Sequence, residues 1–173
     1  MSDNFTACLA FTLKAEGGFV DDPYDPGGAT NKGITLATFQ AFTGNPDATP
    51  TDLKLIEDTT VSDIYQSGYW APARAAELPP GVDLMTFDMA VNSGAREAIL
   101  LLQRAAKVHQ DGIIGPITLA AVQAVDPLAL VLSLGSAQYW FYRGLPTWQH
   151  FGRGWASRVK AREDAATTLA KGS

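Results

Sequence analysis

A mainly α-helical fold is what this sequence predicts, and three observations predict it. Apolar residues recur at helical spacing through most of the chain, as with Phe5, Leu9 and Leu13. The segments carrying this period open at cap-forming residues and close at glycines. Proline and glycine clusters fall between them, with no repeat of fixed period and no low-complexity linker. With 173 residues, 46% of them hydrophobic, and a mean hydropathy near zero, the chain can bury a sizeable single core.

Taken in order, Ser2, Asp3 or Asn4 offers a cap for the first helix, and Gly17-Gly18 stops it by supplying left-handed C-terminal geometry. The following loop is punctuated by Pro23, Pro26 and Gly27-Gly28 and has room for a short hairpin. Thr35 caps a helix carrying Leu36, Phe39 and Phe42 that ends at Gly44. Thr49-Pro50 is a cap followed by proline at the first helical position. Thr60 opens a helix that runs through Ile64 and Tyr65 to Tyr69-Trp70. Pro79-Pro80-Gly81 then breaks the chain before a helix through Met85 and Met89 to about Asn92. Ser93 caps AREAILLLQRAAKVH, whose apolar middle makes it the expected central buried helix. QDGIIGPITLAAVQAV is a tight turn, a short apolar stretch and a helix with Pro116 near its start. Asp126-Pro127 begins a long aromatic-rich helix, and the segment from Trp155 is amphipathic and basic.

Charge is unevenly spread over the formal net of −5. From Tyr139 onward Arg143, Arg153, Arg158, Lys160, Arg162 and Lys171 stand against Glu163 and Asp164, leaving that segment about +4 and the remainder about −9. A basic tail fits a polyanionic partner, and a mixed helix face explains it nearly as well. The single cysteine, Cys8, excludes an internal disulfide, and its apolar neighbours predict a buried inert thiol. The N-terminus lacks the basic start and long apolar run of a secretion signal, and no apolar stretch is long enough to span a bilayer. A monomer made in the cytoplasm, without stable membrane insertion, is the expectation. No HExxH, cysteine cluster, phosphate loop or nucleic-acid signature is present, His109 and His150 stand alone, and the sequence calls for no cofactor or metal.

The chemistry concentrates in AEGGFVDDPYDPGGATNKGIT, residues 15–35. Glu16 falls at a helix C-terminus, against the negative end of the macrodipole, at a cost of roughly 0.5 kcal/mol to the helix. Repulsion from Asp21, Asp22 and Asp25, and exclusion of water by Phe19 and Tyr24, would add to that field. All three push a carboxyl pKa upward, the direction a general acid requires. Cleavage of a glycosidic bond uses such an acid with a second, ionised carboxylate across the sugar. Asp25, in a polar glycine-rich turn, is the candidate, with Asp22 in reserve. Thr30 or Thr35 would hold the attacking water. A calcium-binding reading of the three aspartates conflicts with the loop's prolines and ligand spacing.

EGGFVDDPYDPGGATNKGIT resembles the signature of the glycoside hydrolase family 108 N-acetylmuramidases, found among phage endolysins and secretion-linked bacterial muramidases. FDMAVNSGAREAILLLQRA resembles the family's Asp-x-Ala-x-Asn-x-Gly helix junction. DGIIGPITL resembles the opening of its predicted peptidoglycan-binding portion, and FGRGWASRV its closing Gly-Trp-x-x-Arg. The resemblance implies a lysozyme-like helical fold, bacterial peptidoglycan as substrate, and Glu16 as the catalytic acid. Phe19 replaces a common Tyr. T-even phage lysozymes separate Glu, Asp and Thr by eight and then five residues. Glu16 and Asp25 meet the first spacing, whereas Thr30 comes one residue early and position 31 is Asn. The implied division is a catalytic portion over residues 1–95 and a peptidoglycan-binding portion over 96–173, packed into one globular unit.

Beyond that loop, Asp88 and Asn92 lie four apart on one helical face. They read either as a polar pair joining helices or as substrate-binding residues, Asn92 holding an N-acetyl group. Gln103 and the Asp111-Gly112 turn read as structural. Most of Trp140, Tyr142, Trp148, Phe151 and Trp155 are expected in the core, with one or two left to stack on sugar rings. Arg143, Arg153 or Arg158 would pair with peptide-stem carboxylates. The predicted activity is a muramidase acting on peptidoglycan after holin-type release in a phage-infected host, with a bacterial secretion role as the alternative setting. A lytic transglycosylase, using one Glu and no second carboxylate, and a non-catalytic peptidoglycan binder are the competing readings.

Overall fold

The structure, a computed structural model, describes residues 4–21 and 28–172. Among these the fold is mainly α, with nine α-helices and one short two-stranded sheet. The chain divides into two compact units, one of residues 9–68 and one joining residues up to 8 with those from 69 onward.

The 9–68 unit takes in most of α1 (Phe5–Ala15), a hairpin of β1 (Thr30–Asn31) and β2 (Ile34–Thr35), and α2 (Leu36–Thr43), α3 (Pro50–Lys54) and α4 (Asp58–Tyr65). The hairpin reverses through Lys32 and Gly33, both at positive φ (50° and 75°), the twisted two-residue turn that suits paired antiparallel strands. Thr35 caps α2, its hydroxyl accepting from the Thr38 amide, and left-handed Gly44 ends the helix. Thr49 and Asp52 form a reciprocal capping box ahead of Pro50. α4 starts at Asp58 behind Glu57, earlier than the predicted Thr60 start, and continues as a π-helical turn over Gln66–Trp70.

The second unit is built on α5 (Val82–Ser93), packed by α6 (Ala95–Ala105), α8 (Pro127–Arg143) and α9 (Trp148–Lys171), with α7 (Pro116–Gln123) against α8. The predicted central helix is therefore displaced by one element. α5 is buried at every residue from Val82 to Ala90, while α6 is one-sided, burying Ala98, Ile99, Leu101 and Leu102 and exposing Arg96 and Arg104. The reason lies in the buried polar residues of α5, Asp83, Thr86 and Asp88, which find internal partners. Asp83 accepts from the Gly81 and Leu84 amides at 2.7 Å and from Asn4 at 3.0 Å, and Thr86 donates to the Val82 carbonyl at 2.8 Å. Burial pushes the Asp83 carboxyl above the usual range, against the pull of those hydrogen bonds.

Two further boundaries differ from the pattern. Ser93 is the last residue of α5, and Gly94, at φ 87°, takes the cap position of α6. α9 begins at Trp148, ahead of Trp155. Gly81, at φ 86°, lies where a Cβ would overlap the Ala166 carbonyl, so the start of α5 can approach α9 only with glycine. Phe5, Trp70 and Phe87 meet edge to face at 5.3–6.0 Å, and Cys8 is fully buried as predicted. No single helix among the described residues is long and apolar enough to cross a membrane; α7 and α8 pass that test only as a pair bent by 115°.

Candidate active site

Glu16 follows the last residue of α1 and is half-buried. Four residues on, Val20 pairs with Thr30 through two 2.8 Å backbone hydrogen bonds, and Thr30 pairs in turn with Thr35. This pairing closes the loop at its base, leaving Glu16 beside the hairpin. The turn glycine leaves room for its carboxylate. A Cβ on Gly33 would lie 3.0 Å from Glu16 Oε2 and 3.1 Å from Glu16 Cγ, and 2.5 Å from the Tyr65 hydroxyl. Only a bare Cα, at this positive φ, leaves that space to the carboxylate.

Three interactions anchor the hairpin. Tyr65, buried on α4, donates to the Lys32 carbonyl at 2.8 Å, and the Lys32 ammonium pairs with Asp58 at 2.6 Å. That hydrogen bond holds the exposed Asp58 carboxyl below its ordinary value. Asn31 donates to the carbonyls of Leu53 and Lys54 at 3.0 and 3.3 Å. α3 and α4 therefore both grip the element that accommodates Glu16.

The two threonines differ. Thr35 is committed to its helix, with its oxygen 2.9 Å from the Thr38 hydroxyl and accepting the Thr38 amide at 3.2 Å. The Thr30 hydroxyl makes a long 3.5 Å contact with the Gly28 carbonyl. Asp25 and Asp22, the two candidates for the second carboxylate, lie outside the described residues, as does Tyr24. Phe19 lies 5.5 Å beneath the Lys54 ammonium.

Asp88 and Asn92 belong to the other unit. Asp88 has no exposed surface to offer a sugar. Arg158 binds both its oxygens at 3.2 and 2.9 Å, and Arg162 adds a 2.6 Å bond from Nε. Arg162 reaches Gln138 as well, and Gln138 donates to the Met85 carbonyl at 2.9 Å. The cluster ties α5, α8 and α9 together. Arg158 is thereby drawn into the fold, away from the stem-peptide role considered for it. Asn92 is exposed, its amide nitrogen 2.6 Å from the Asp88 backbone carbonyl.

The remaining motifs are scaffolding. Gln103 is buried and donates to Asp111, the Ile113 carbonyl and Thr118, while accepting from the Gly112 amide at 2.9 Å. Of the aromatic group, Tyr142 stacks on Trp155 at 5.4 Å, and Tyr139 meets Trp148 at 5.6 Å. Trp140 and Phe151 stay 64% and 57% exposed. His109 and His150 are both exposed.

Comparison with known proteins decides the lineage. Residues 9–94 match the glycosyl hydrolase 108 family, and residues 97–160 match a predicted peptidoglycan domain. The solved structure of Brucella abortus SagA is 39% identical, covers 97% of this chain and 96% of its own, and superposes with a TM-score of 0.84. The chain belongs to the glycosyl hydrolase 108 family. No curated protein sequence matches it. As a family 108 protein it has the mainly helical, lysozyme-like fold and is a glycoside hydrolase acting on peptidoglycan. The 9–94 family match runs through α5, whereas the compact unit ends at residue 68. Pattern reading did not single out Gly33 and Tyr65, which lie beside Glu16. The Lys-Gly turn inside NKGI was the available signal for the first. Tyr65 carries none, because it reads as one more apolar position on α4.

Proposed function

We propose that this chain is an N-acetylmuramidase, hydrolysing the β-1,4 bond between N-acetylmuramic acid and N-acetylglucosamine with Glu16 as general acid. The observation that carries this is the seating of Glu16. It is half-buried just past α1, with its carboxylate against the bare Cα of Gly33 in a hairpin gripped from two helices. Glu16 gives its proton to the departing glucosamine oxygen as the muramic acid carbon becomes oxocarbenium-like. Asp25, or Asp22 in its place, activates water or stabilises that charge. Water's hydroxyl then bonds to the muramic acid carbon, and its proton passes to the base. Thr30 positions the water, since the Thr35 oxygen is engaged in capping α2.

In this reading residues 1–95 form the catalytic portion, with Asn92 as a candidate sugar contact, and 96–173 the peptidoglycan-binding portion, with the exposed Trp140 and Phe151 as further candidates. The proposed setting is the bacterial wall, reached from the cytoplasm by release alongside phage lysis.

The test is digestion of purified peptidoglycan by the natural chain and by Glu16→Gln, with the new chain ends identified by mass spectrometry. Reducing muramic acid ends, lost by a factor of at least ~10² in the variant, are expected. Anhydro-muramic ends would instead establish a transglycosylase and remove Asp25 from the mechanism.

A further inference from the structure

We infer that Tyr65 is a positioning residue for the catalytic acid, acting through Gly33; this rests on the reading of Glu16 above. The Tyr65 ring is 1% exposed on the face of α4 that also buries Val61 and Ile64. With its two side-chain torsions fixed by that packing, the hydroxyl is a rigid post. It donates to the Lys32 carbonyl at 2.8 Å, so it sets the orientation of the peptide that leads into Gly33. The same oxygen and Glu16 Oε2 converge on one point, lying 2.5 and 3.0 Å from where a Gly33 Cβ would be. Tyr65 therefore borders the space that the Glu16 carboxylate occupies.

The need for such a post follows from the position of Glu16. A glutamate just beyond a helix end can take side-chain rotamers that a following helical turn would exclude. A general acid must nonetheless present one oxygen within hydrogen-bond reach of the leaving group. Ordering it in the free enzyme removes that entropic cost from the chemical step. Glycine at 33 and tyrosine at 65 work as a pair, one clearing the space and the other bounding it.

Steady-state kinetics on soluble peptidoglycan fragments test this, with Tm recorded for each variant. Tyr65→Phe keeps the ring and removes the oxygen. It should lower kcat about tenfold with KM changed by no more than about twofold, because the lost effect operates in the transition state. Asn31→Ala is the structural comparison, since it cuts the anchor of the same hairpin to α3. It should lower Tm while keeping kcat within about twofold of the natural chain. Natural kcat in Tyr65→Phe would overturn the inference. So would equal loss of kcat in Asn31→Ala at the same loss of Tm, which would make hairpin integrity the whole effect. Natural turnover in Glu16→Gln would instead overturn the acid assignment beneath it.

Discussion

At the scale of single residues, the two threonines show how similar side chains serve different ends. Thr35 has its oxygen on the Thr38 amide at the start of α2, and Thr30 lies in the strand beside Glu16 with its hydroxyl 3.5 Å from a carbonyl. Thr35→Ala should cost about 1 kcal/mol of stability, the usual value of a lost N-cap, with little change in turnover. Thr30→Ala should do the opposite, lowering kcat severalfold at nearly constant stability. Urea melts beside rate measurements distinguish them. A rate loss in Thr35→Ala larger than its stability loss explains would move the water-holding role to that residue.

At the scale of elements, the DGIIGPITL turn is organised from within by one buried amide. Gln103 on α6 donates to Asp111 at 2.7 Å, and the Ile113 amide donates to the same carboxylate oxygen at 2.8 Å. These hydrogen bonds, Gln103 first, hold the Asp111 carboxyl below its ordinary value. Its contribution to stability is present above the unfolded carboxylate pKa and is lost as pH falls through the depressed folded value. Carbon-detected NMR titration should show Asp111 protonating below the usual aspartate range, and Gln103→Leu should return it towards that range. An unchanged titration in the variant would mean that the backbone amides alone set it. The Lys32-Gly33 turn follows the same logic, with a hairpin fixed by side chains that arrive from α3 and α4.

At the scale of the whole molecule, charge that reads as a basic surface partly belongs to the interior. Arg158 and Arg162 make the tail look cationic in sequence, yet both are consumed by Asp88, with Arg162 and Asp88 fully buried. Removing the shared carboxylate leaves two guanidinium groups without their partner. Asp88→Ala should therefore cost roughly 3–5 kcal/mol in a tryptophan-monitored denaturant melt. An unchanged melt accompanied by weaker peptidoglycan binding would restore Asp88 to the substrate-contact role that its spacing from Asn92 first offered.

Local sequence suffices for the helical class, the caps at Thr35, Thr49 and Asp126, the stop at Gly44 and the family signature, because each depends on neighbours within a few residues. Tertiary structure alone decided which helix is central. α5 carries Asp83, Thr86 and Asp88, polar residues that resemble a solvent face until partners from Asn4, Arg158 and Arg162 reach them. It also decided that Tyr65 stands beside Glu16. Nothing in a linear pattern distinguishes a tyrosine whose ring fills a core from one whose hydroxyl also fixes a turn some thirty residues away, since that distinction is made only when the chain closes on itself.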